Sequence, residues 1–238
     1  MVIAYDGTEF WGWQIQAQGR TVQGEIEAKL STLFNNQKIT LIGAGRTDSG
    51  VHASGQVANI KLDISWDAET IKNALNANLG DDIWIKEVSE GSPDFHARFA
   101  AKSRKYEYHI STEFSPITRN YEWWVKQDLD IDVLQKCAKM IKNTANFTRF
   151  CKANAEVNNY LCKIIESHWE FDETMLVYMV KANRFLQHMV RFFVGTMIEV
   201  ARGRILQSEF QNMLDDKEGD ISVFRAPAKG LILTEVTY

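Results

Sequence analysis

The sequence predicts an α+β protein in which antiparallel sheets are flanked by helices. The chain has 238 residues, 45% hydrophobic and 24% charged, and is long enough to bury a core in one large or two small domains. Apolar segments with the two-residue period of strands are interspersed with segments that have the 3.6-residue period of helices. Two predicted strands, at 160–171 and 175–181, are separated by only three residues. Only antiparallel strands can be joined so tightly.

The first half, residues 1–100, is predicted to run strand, helix, two strands, helix and strand. The first strand is expected at 2–5. Thr21 then caps a helix that continues to Phe34, because threonine is a favoured N-cap and the apolar residues that follow it recur with helical spacing. Those apolar residues are Val22, Ile26, Leu30, Leu33 and Phe34. Further elements are predicted as strands at 39–44 and 56–62 around a glycine-rich turn, a helix near 67–79, and a strand at 83–88.

The second half, residues 101–238, repeats this style. Its predicted elements are a strand at 104–110, a helix at 130–141, the two long strands already described, and a helix at 185–200. No proline- or serine-rich linker separates the halves, so the boundary between them is expected to be compact.

Composition excludes several classes of protein. No apolar run approaches the about 18 residues needed to span a bilayer, and the first residues lack the features of an export signal. A cytoplasmic protein with no membrane partner is therefore expected. The three cysteines lack C-x-x-C spacing and indicate neither a disulfide framework nor a zinc site. Cys137, Cys151 and Cys162 are expected to be buried as small apolar residues.

Charge is unevenly distributed along a chain whose net charge is −4. Residues 63–94 carry eight acids and two lysines, and this stretch should repel a polyanion. Residues 98–105 carry four basic residues and no acid, and residues 181–204 carry five basic residues against Glu199 alone. These two basic segments have the charge to meet phosphates, although such runs are often only solvated surface.

The densest group of reactive residue types lies in the glycine-rich segment 43–53. Its three glycines predict a tight turn between strands. In one interpretation Asp48 only shapes the turn and Arg46 is a solvated charge. In the other, Arg46 keeps the Asp48 carboxylate ionised, as a nucleophile or base on a loop held between rigid strands. A hydrolase that uses two carboxylates would need a second acid nearby, and none is evident.

The segment 45–53, GRTDSGVHA, resembles the catalytic loop of the tRNA pseudouridine synthase I family. Four further segments resemble motifs of the same family in the same order along the chain. They are residues 5–8 with 12–14, residues 104–108, residues 185–191 with 194–195, and residues 226–231. The resemblance therefore covers essentially the whole chain.

The resemblance implies an enzyme that isomerises uridine to pseudouridine at positions 38 to 40 of the tRNA anticodon arm. It implies two similar halves around a central catalytic cleft, a homodimer that binds tRNA, and no cofactor or metal. Asp48 would be the catalytic residue, attacking either the ribose or the base, and both routes stay open. Arg46 would orient Asp48 or prop open the RNA stem. A catalytically inactive RNA-binding or tRNA-chaperone protein of the same fold is the alternative function.

Two more substrate-binding residues follow from the matched motifs. A uridine in a stem must be flipped from its stack and held against an aromatic or apolar surface. Tyr106 is the expected surface, although its alternation with Tyr108 and Ile110 also fits a core tyrosine. Arg191 lies on a largely apolar predicted helix, where an arginine needs a partner or a cleft, and it is expected to form part of the active-site wall.

Overall fold

The computed structural model describes residues 1–62, 66–153, 159–217 and 222–238. The chain divides into two compact units, the first formed by Met1–Lys102 together with Ile232–Tyr238 and the second by Ser103–Leu231. The mixture of helices and mainly antiparallel strands confirms the α+β class. The division into halves at residue 100 stays a prediction, and the compact units differ from it because the residues after 231 return to the first unit.

The described residues form nine strands and five α-helices. In chain order they are β1 (Val2–Tyr5), α1 (Val22–Leu33), β2 (Ile42–Gly43), β3 (His52–Asn59), α2 (Ala68–Asn76), β4 (Ile83–Glu87), β5 (Ser103–Ser111), β6 (Trp123–Trp124), α3 (Ile131–Lys142), β7 (Ile164–Phe171), β8 (Met175–Ala182), α4 (Met189–Ala201), α5 (Gln207–Leu214) and β9 (Leu231–Thr237). Within the described ranges, no helix has both the length and the apolar composition needed to cross a bilayer.

Side-chain caps begin the first three helices, and the one at Thr21 is the cap that the sequence predicts. Thr21 Oγ1 accepts a hydrogen bond from the Gly24 backbone N at 3.3 Å at the start of α1. Asp67 and Asp130 cap α2 and α3 in the same way. Such caps satisfy backbone N–H groups that have no partner within the helix. One apolar face of α1 is fully buried, and its residues there are Val22, Ile26 and Leu30.

The sheet of the first unit places β1 between two antiparallel neighbours, β3 and β4. On its other side β3 pairs in parallel with β9, with His52 opposite Ile232 and Ala53 opposite Leu233. Strand β3 begins at His52, earlier than the predicted residue 56, because Ala53 already pairs with Tyr5 of β1. The chain therefore enters the sheet immediately after the turn of the glycine-rich segment.

The second unit contains the predicted antiparallel hairpin. Strand β8 pairs with β7 and, from Arg104 to Ser111, with β5. The hairpin closes with a hydrogen bond from Asp172 N to Met175 O at 2.9 Å. Helix α3 packs against β7, where Ser167 Oγ donates to Ala138 O of the helix at 2.8 Å. The strand and helix predictions for this region are confirmed, except that β7 begins at Ile164 and not at residue 160.

One prediction about the C-terminal region is corrected. The helix expected at 185–200 begins at Met189, because the preceding His188 adopts a left-handed φ of 66° that the helix cannot include. Helix α5 and strand β9 were not predicted. All three cysteines are free and buried, as the sequence predicts.

Candidate active site

The glycine-rich segment forms a tight turn between β2 and β3. Val51 N donates to Asp48 O at 3.2 Å and closes a four-residue turn. Gly50 occupies the third position with a φ of 76°, a conformation that favours glycine. Burial alternates along the approach to the turn: Arg46 is exposed, Thr47 is buried, and Asp48 is partly exposed. The side chains of Arg46 and Asp48 therefore have access to solvent, whereas the Thr47 side chain between them is buried.

The segment that follows β1 lies directly against this turn. Trp13 N donates to Thr47 O at 3.1 Å. Phe10 O accepts hydrogen bonds from Gly50 N and from Ser49 Oγ, each at 3.2 Å. The turn that carries Asp48 is consequently fixed by a second stretch of backbone, and this stretch is one of the segments that resembled the family motifs.

Gly12 is required at the closest point of this contact. Its φ is 96°, and a Cβ there would lie 2.6 Å from Thr47 O and 3.1 Å from the Asp48 carbonyl carbon. A side chain at this position would push against the backbone that carries the Asp48 carboxylate.

Buried polar side chains form hydrogen bonds with the residues just before the turn. The Tyr5 hydroxyl and Thr47 Oγ1 share a hydrogen bond of 2.8 Å, and Gln56 Nε2 donates to Gly45 O at 2.9 Å. Burial raises the pKa of the Tyr5 phenol far above its ordinary value, although hydrogen bonds with Thr47 and Gln56 oppose the shift. The sequence interpretation missed these contacts. The available signal was a glutamine inside a predicted strand and a threonine beside the aspartate.

His52 anchors the segment before Phe10 to the start of β3. Its Nδ1 lies 3.0 Å from Gly7 N and 3.1 Å from Asp6 Oδ1. The ring is buried, and it joins Asp6 and Gly7 of the first motif to the last part of the loop motif. Two of the matched segments are therefore in direct contact.

Tyr106 lies in β5 of the second unit, opposite Val180 of β8. It is buried together with Tyr108 and Ile110, as expected for residues on one face of a strand. The Tyr106 ring meets Phe185 edge to face, with 5.2 Å between ring centroids. Phe185 thereby restricts the orientation of the Tyr106 ring, which is one of the predicted substrate-binding groups.

Arg191 lies in the first turn of α4 and is tied to the segment around Ala226. Its Nε donates to Ala226 O at 2.9 Å, and Ala226 N donates to Arg191 O at 3.0 Å. The positive charge of Arg191 lowers the pKa of the Tyr108 phenol, but burial has the larger effect and raises it. Arg191 therefore connects the fourth and fifth matched segments near the strand that carries Tyr106.

The four predicted site residues are distributed between the two units. Arg46 and Asp48 belong to the glycine-rich segment of the first unit, and Tyr106 and Arg191 belong to the second unit. Across the described ranges, no group of three or more histidine, cysteine or acidic side chains is arranged to hold a metal ion.

Part of the second basic segment is paired with an acid within the fold. Glu199, which is buried in α4, accepts hydrogen bonds from Arg202 at 2.9 Å and from Arg204 at 3.0 Å. Both arginines belong to the basic segment 181–204, which the sequence predicts to contact phosphates. The ion pairs shift the expected phosphate contacts toward the N-terminal part of that segment.

Comparison with known proteins agrees with the resemblance seen in the sequence. A family model described as tRNA pseudouridine synthase matches residues 1–100 and 138–238. It includes the turn with Arg46 and Asp48 and the helix with Arg191, whereas Tyr106 lies between its two matched ranges.

Three bacterial relatives illustrate the similarity. The tRNA pseudouridine synthase A of Dictyoglomus thermophilum is 41% identical over 240 residues, covering 99% of this chain and 97% of the relative. The protein of that name from Geobacillus sp. strain WCH70 is 38% identical over 238 residues, covering 99% and 96%. That from Bacteroides thetaiotaomicron is 37% identical over 239 residues, covering 99% and 88%.

Proposed function

Because this chain belongs to the tRNA pseudouridine synthase family, we propose that it isomerises uridine to pseudouridine at positions 38 to 40 of the tRNA anticodon arm. The observation that carries the proposal is the turn that presents Asp48, with Arg46 two residues before it. The reaction breaks the bond between ribose C1′ and uracil N1 and forms one between C1′ and C5. A proton leaves C5 and one is gained at N1, so the exchange needs no redox centre.

Asp48 is the proposed catalytic residue. Its carboxylate adds either to ribose C1′ as the uracil departs or to the uracil ring. The ribose adduct releases the carboxylate as C5 attacks C1′, whereas the ring adduct releases it by elimination after the new carbon–carbon bond has formed. Arg46 supplies a positive charge two residues before Asp48, and its guanidinium suits a backbone phosphate.

Tyr106 and Arg191 are the proposed substrate-binding residues of the second unit. The target uridine must leave its stack, and the face of an aromatic ring is a suitable support for the flipped base. Arg191, which is held by Ala226 O, provides a fixed guanidinium whose charge acts on the Tyr108 phenol. The separated uracil must stay bound while it rotates, and rigid supports serve this purpose better than mobile side chains.

The proposed partner is tRNA, and the proposed assembly is a homodimer in the cytoplasm. Sedimentation analysis of the purified protein, alone and with tRNA, measures the assembly. A monomer at all concentrations, including in the complex, would contradict the dimer without touching the proposed reaction.

The decisive experiment incubates an unmodified tRNA transcript with this protein alone and maps pseudouridine along the transcript. Transcripts with uridine at only one of positions 38, 39 and 40 then report the preference among them. Pseudouridine confined to these positions supports the proposal. Tight tRNA binding without any pseudouridine would instead favour the inactive RNA-binding alternative.

We expect tRNA binding to weaken steeply with salt, despite the acidic net charge. A contact that neutralises about three duplex phosphates loses roughly 40-fold in affinity between about 50 and 200 mM salt. Arg98→Gln should reduce the slope of log affinity against log salt by about 1. Arg204→Gln is the matched control, because Glu199 already pairs with Arg204. Equal slopes for all three proteins would show that the basic segments do not meet phosphates.

Gly12→Ala is expected to reduce pseudouridine formation by about 10² or more, because displacement of a reactive group by about 1 Å has effects of this size. Because alanine is disfavoured at a left-handed φ, the substitution should also lower the free energy of unfolding by about 1–2 kcal/mol. Gly203→Ala separates the two effects, since Gly203 has a φ of 71° and no atom within 4 Å of an added Cβ. Turnover and melting temperature are measured for both. Normal turnover by Gly12→Ala would show that the contact does not position the turn.

A further inference from the structure

A buried polar network lies beneath the turn that carries Asp48. Tyr5 on β1, Thr47 in the turn and Gln56 on β3 are 5%, 7% and 0% exposed. Tyr5 and Thr47 join through their hydroxyl groups at 2.8 Å, and Gln56 binds the carbonyl of Gly45 at 2.9 Å. Burial of polar groups is unfavourable unless they are paired, and here each of the three has a partner. An apolar core would fill this space without that requirement.

The network holds the chain on both sides of Arg46. Gly45 and Thr47 are its neighbours in sequence, and both are tied to strands of the first unit. Thr47 is also held through its carbonyl by Trp13 N at 3.1 Å. Because Thr47 precedes Asp48 directly, fixing its side chain inward limits the directions in which the Asp48 side chain can point.

On the basis of the proposed function, we propose that Tyr5, Thr47 and Gln56 are positioning residues that aim the Asp48 carboxylate at the target uridine. None of them is a catalytic residue, since each acts through the backbone of the turn. Two strands that are rigid by virtue of their ladders thus set the direction of a side chain on a loop. A hydrogen-bonded network specifies one arrangement more sharply than apolar packing does.

We expect the network to keep its hydrogen bonds over the pH range in which an assay is run. The pKa of the Tyr5 phenol is raised well above its ordinary value by burial, so the hydroxyl keeps its proton near neutrality. A defect caused by loss of this hydroxyl should therefore be the same from about pH 6 to about pH 9. Loss of a titrating catalytic group would instead change the shape of the pH profile.

The test uses single-turnover rates and tRNA dissociation constants of conservative variants. Thr47→Val removes the hydroxyl with little change in volume, and Tyr5→Phe removes its partner. We expect each to slow the reaction about 10- to 100-fold with the tRNA dissociation constant unchanged, because misplacement of a reactive group affects the rate and not the binding. Thr47→Ser should restore the rate to within a few-fold. The double variant should be no slower than the slower single variant, because both changes break the same bond.

Tyr178→Phe provides a matched control in the second unit. The Tyr178 hydroxyl is buried like that of Tyr5 and shares a 2.7 Å hydrogen bond with Ser167. Its loss should lower the melting temperature about as much as Tyr5→Phe does, with normal turnover. This comparison separates loss of stability from loss of positioning.

Each outcome of this series decides the question. Slow Tyr5→Phe and Thr47→Val variants beside a normal Tyr178→Phe variant support the inference. Normal rates in Tyr5→Phe and Thr47→Val would overturn the inference, and so would equal slowing in Tyr178→Phe. In either case an active wild-type protein would still support the proposed function. A wild-type protein that forms no pseudouridine would overturn the proposed function first, and the positioning role with it.

Discussion

Asp48→Asn is expected to abolish pseudouridine formation, with a fall in rate of at least about 10⁴-fold, while folding and tRNA binding stay close to normal. The amide keeps the shape of the carboxylate but cannot act as the nucleophile or carry the negative charge. The turn itself should persist, because the hydrogen bond that closes it uses the backbone carbonyl of Asp48 and not its side chain. Pseudouridine mapping measures the rate, and circular dichroism with a tRNA-binding assay measures the rest.

Asp81→Asn is the control for the change of charge, since Asp81 is an exposed acid of the same unit. It should turn over like the wild type. Measurable turnover by Asp48→Asn would contradict the proposed mechanism. An unfolded Asp48→Asn protein would instead return Asp48 to the simpler role of a residue that shapes a turn.

Tyr106→Phe is expected to bind tRNA nearly normally and to react about 10² to 10⁴ times more slowly, the range typical for loss of general acid–base catalysis. The phenyl ring keeps both the stacking face and its edge-to-face contact with Phe185. Only the hydroxyl is removed. After the bond between C1′ and C5 forms, C5 must lose a proton, and we propose that Tyr106 accepts or relays it.

Single-turnover rates distinguish this role from simple stacking. A near-normal rate for Tyr106→Phe would refute the proton role and leave the ring as a support for the base, in which case Tyr106→Leu should still be inactive. Tyr108→Phe is a useful comparison, because the Tyr108 hydroxyl donates to Pro227 O at 2.8 Å within the core. It should reduce stability while the rate changes only a few-fold.

Local signals in the sequence were sufficient for much of the fold. The cap at Thr21 and the hairpin after Phe171 depend on residues close together in the chain, and the structure contains both. The misplaced starts of β3 and α4 have different causes. Strand β3 is lengthened by pairing with β1, and α4 is delayed by the left-handed His188. Such effects depend on tertiary contacts that a local pattern does not contain.

The same distinction applies to the site. Arg46 and Asp48 could be predicted because their motif is contiguous, and the comparisons support the family to which that motif points. The contact between Tyr5 and Thr47 joins residues far apart in the chain, and neither residue type stands out alone. Gly12 has the same character, since its need for a bare backbone arises only where Thr47 O approaches it.

The return of β9 to the first unit has a consequence for the order of synthesis on the ribosome. Strand β3, which follows the Asp48 turn directly, is joined in parallel by Ile232 and Leu233. These residues are translated only after the whole second unit, so the sheet that supports the turn stays incomplete while the nascent chain grows. The last strand also accepts a hydrogen bond at Thr237 O from Lys102 N, at 2.8 Å, which joins it to the end of the first unit's main segment. A ribosome-bound chain that stops before residue 232 should therefore contain Asp48 and still lack part of the sheet that supports its turn.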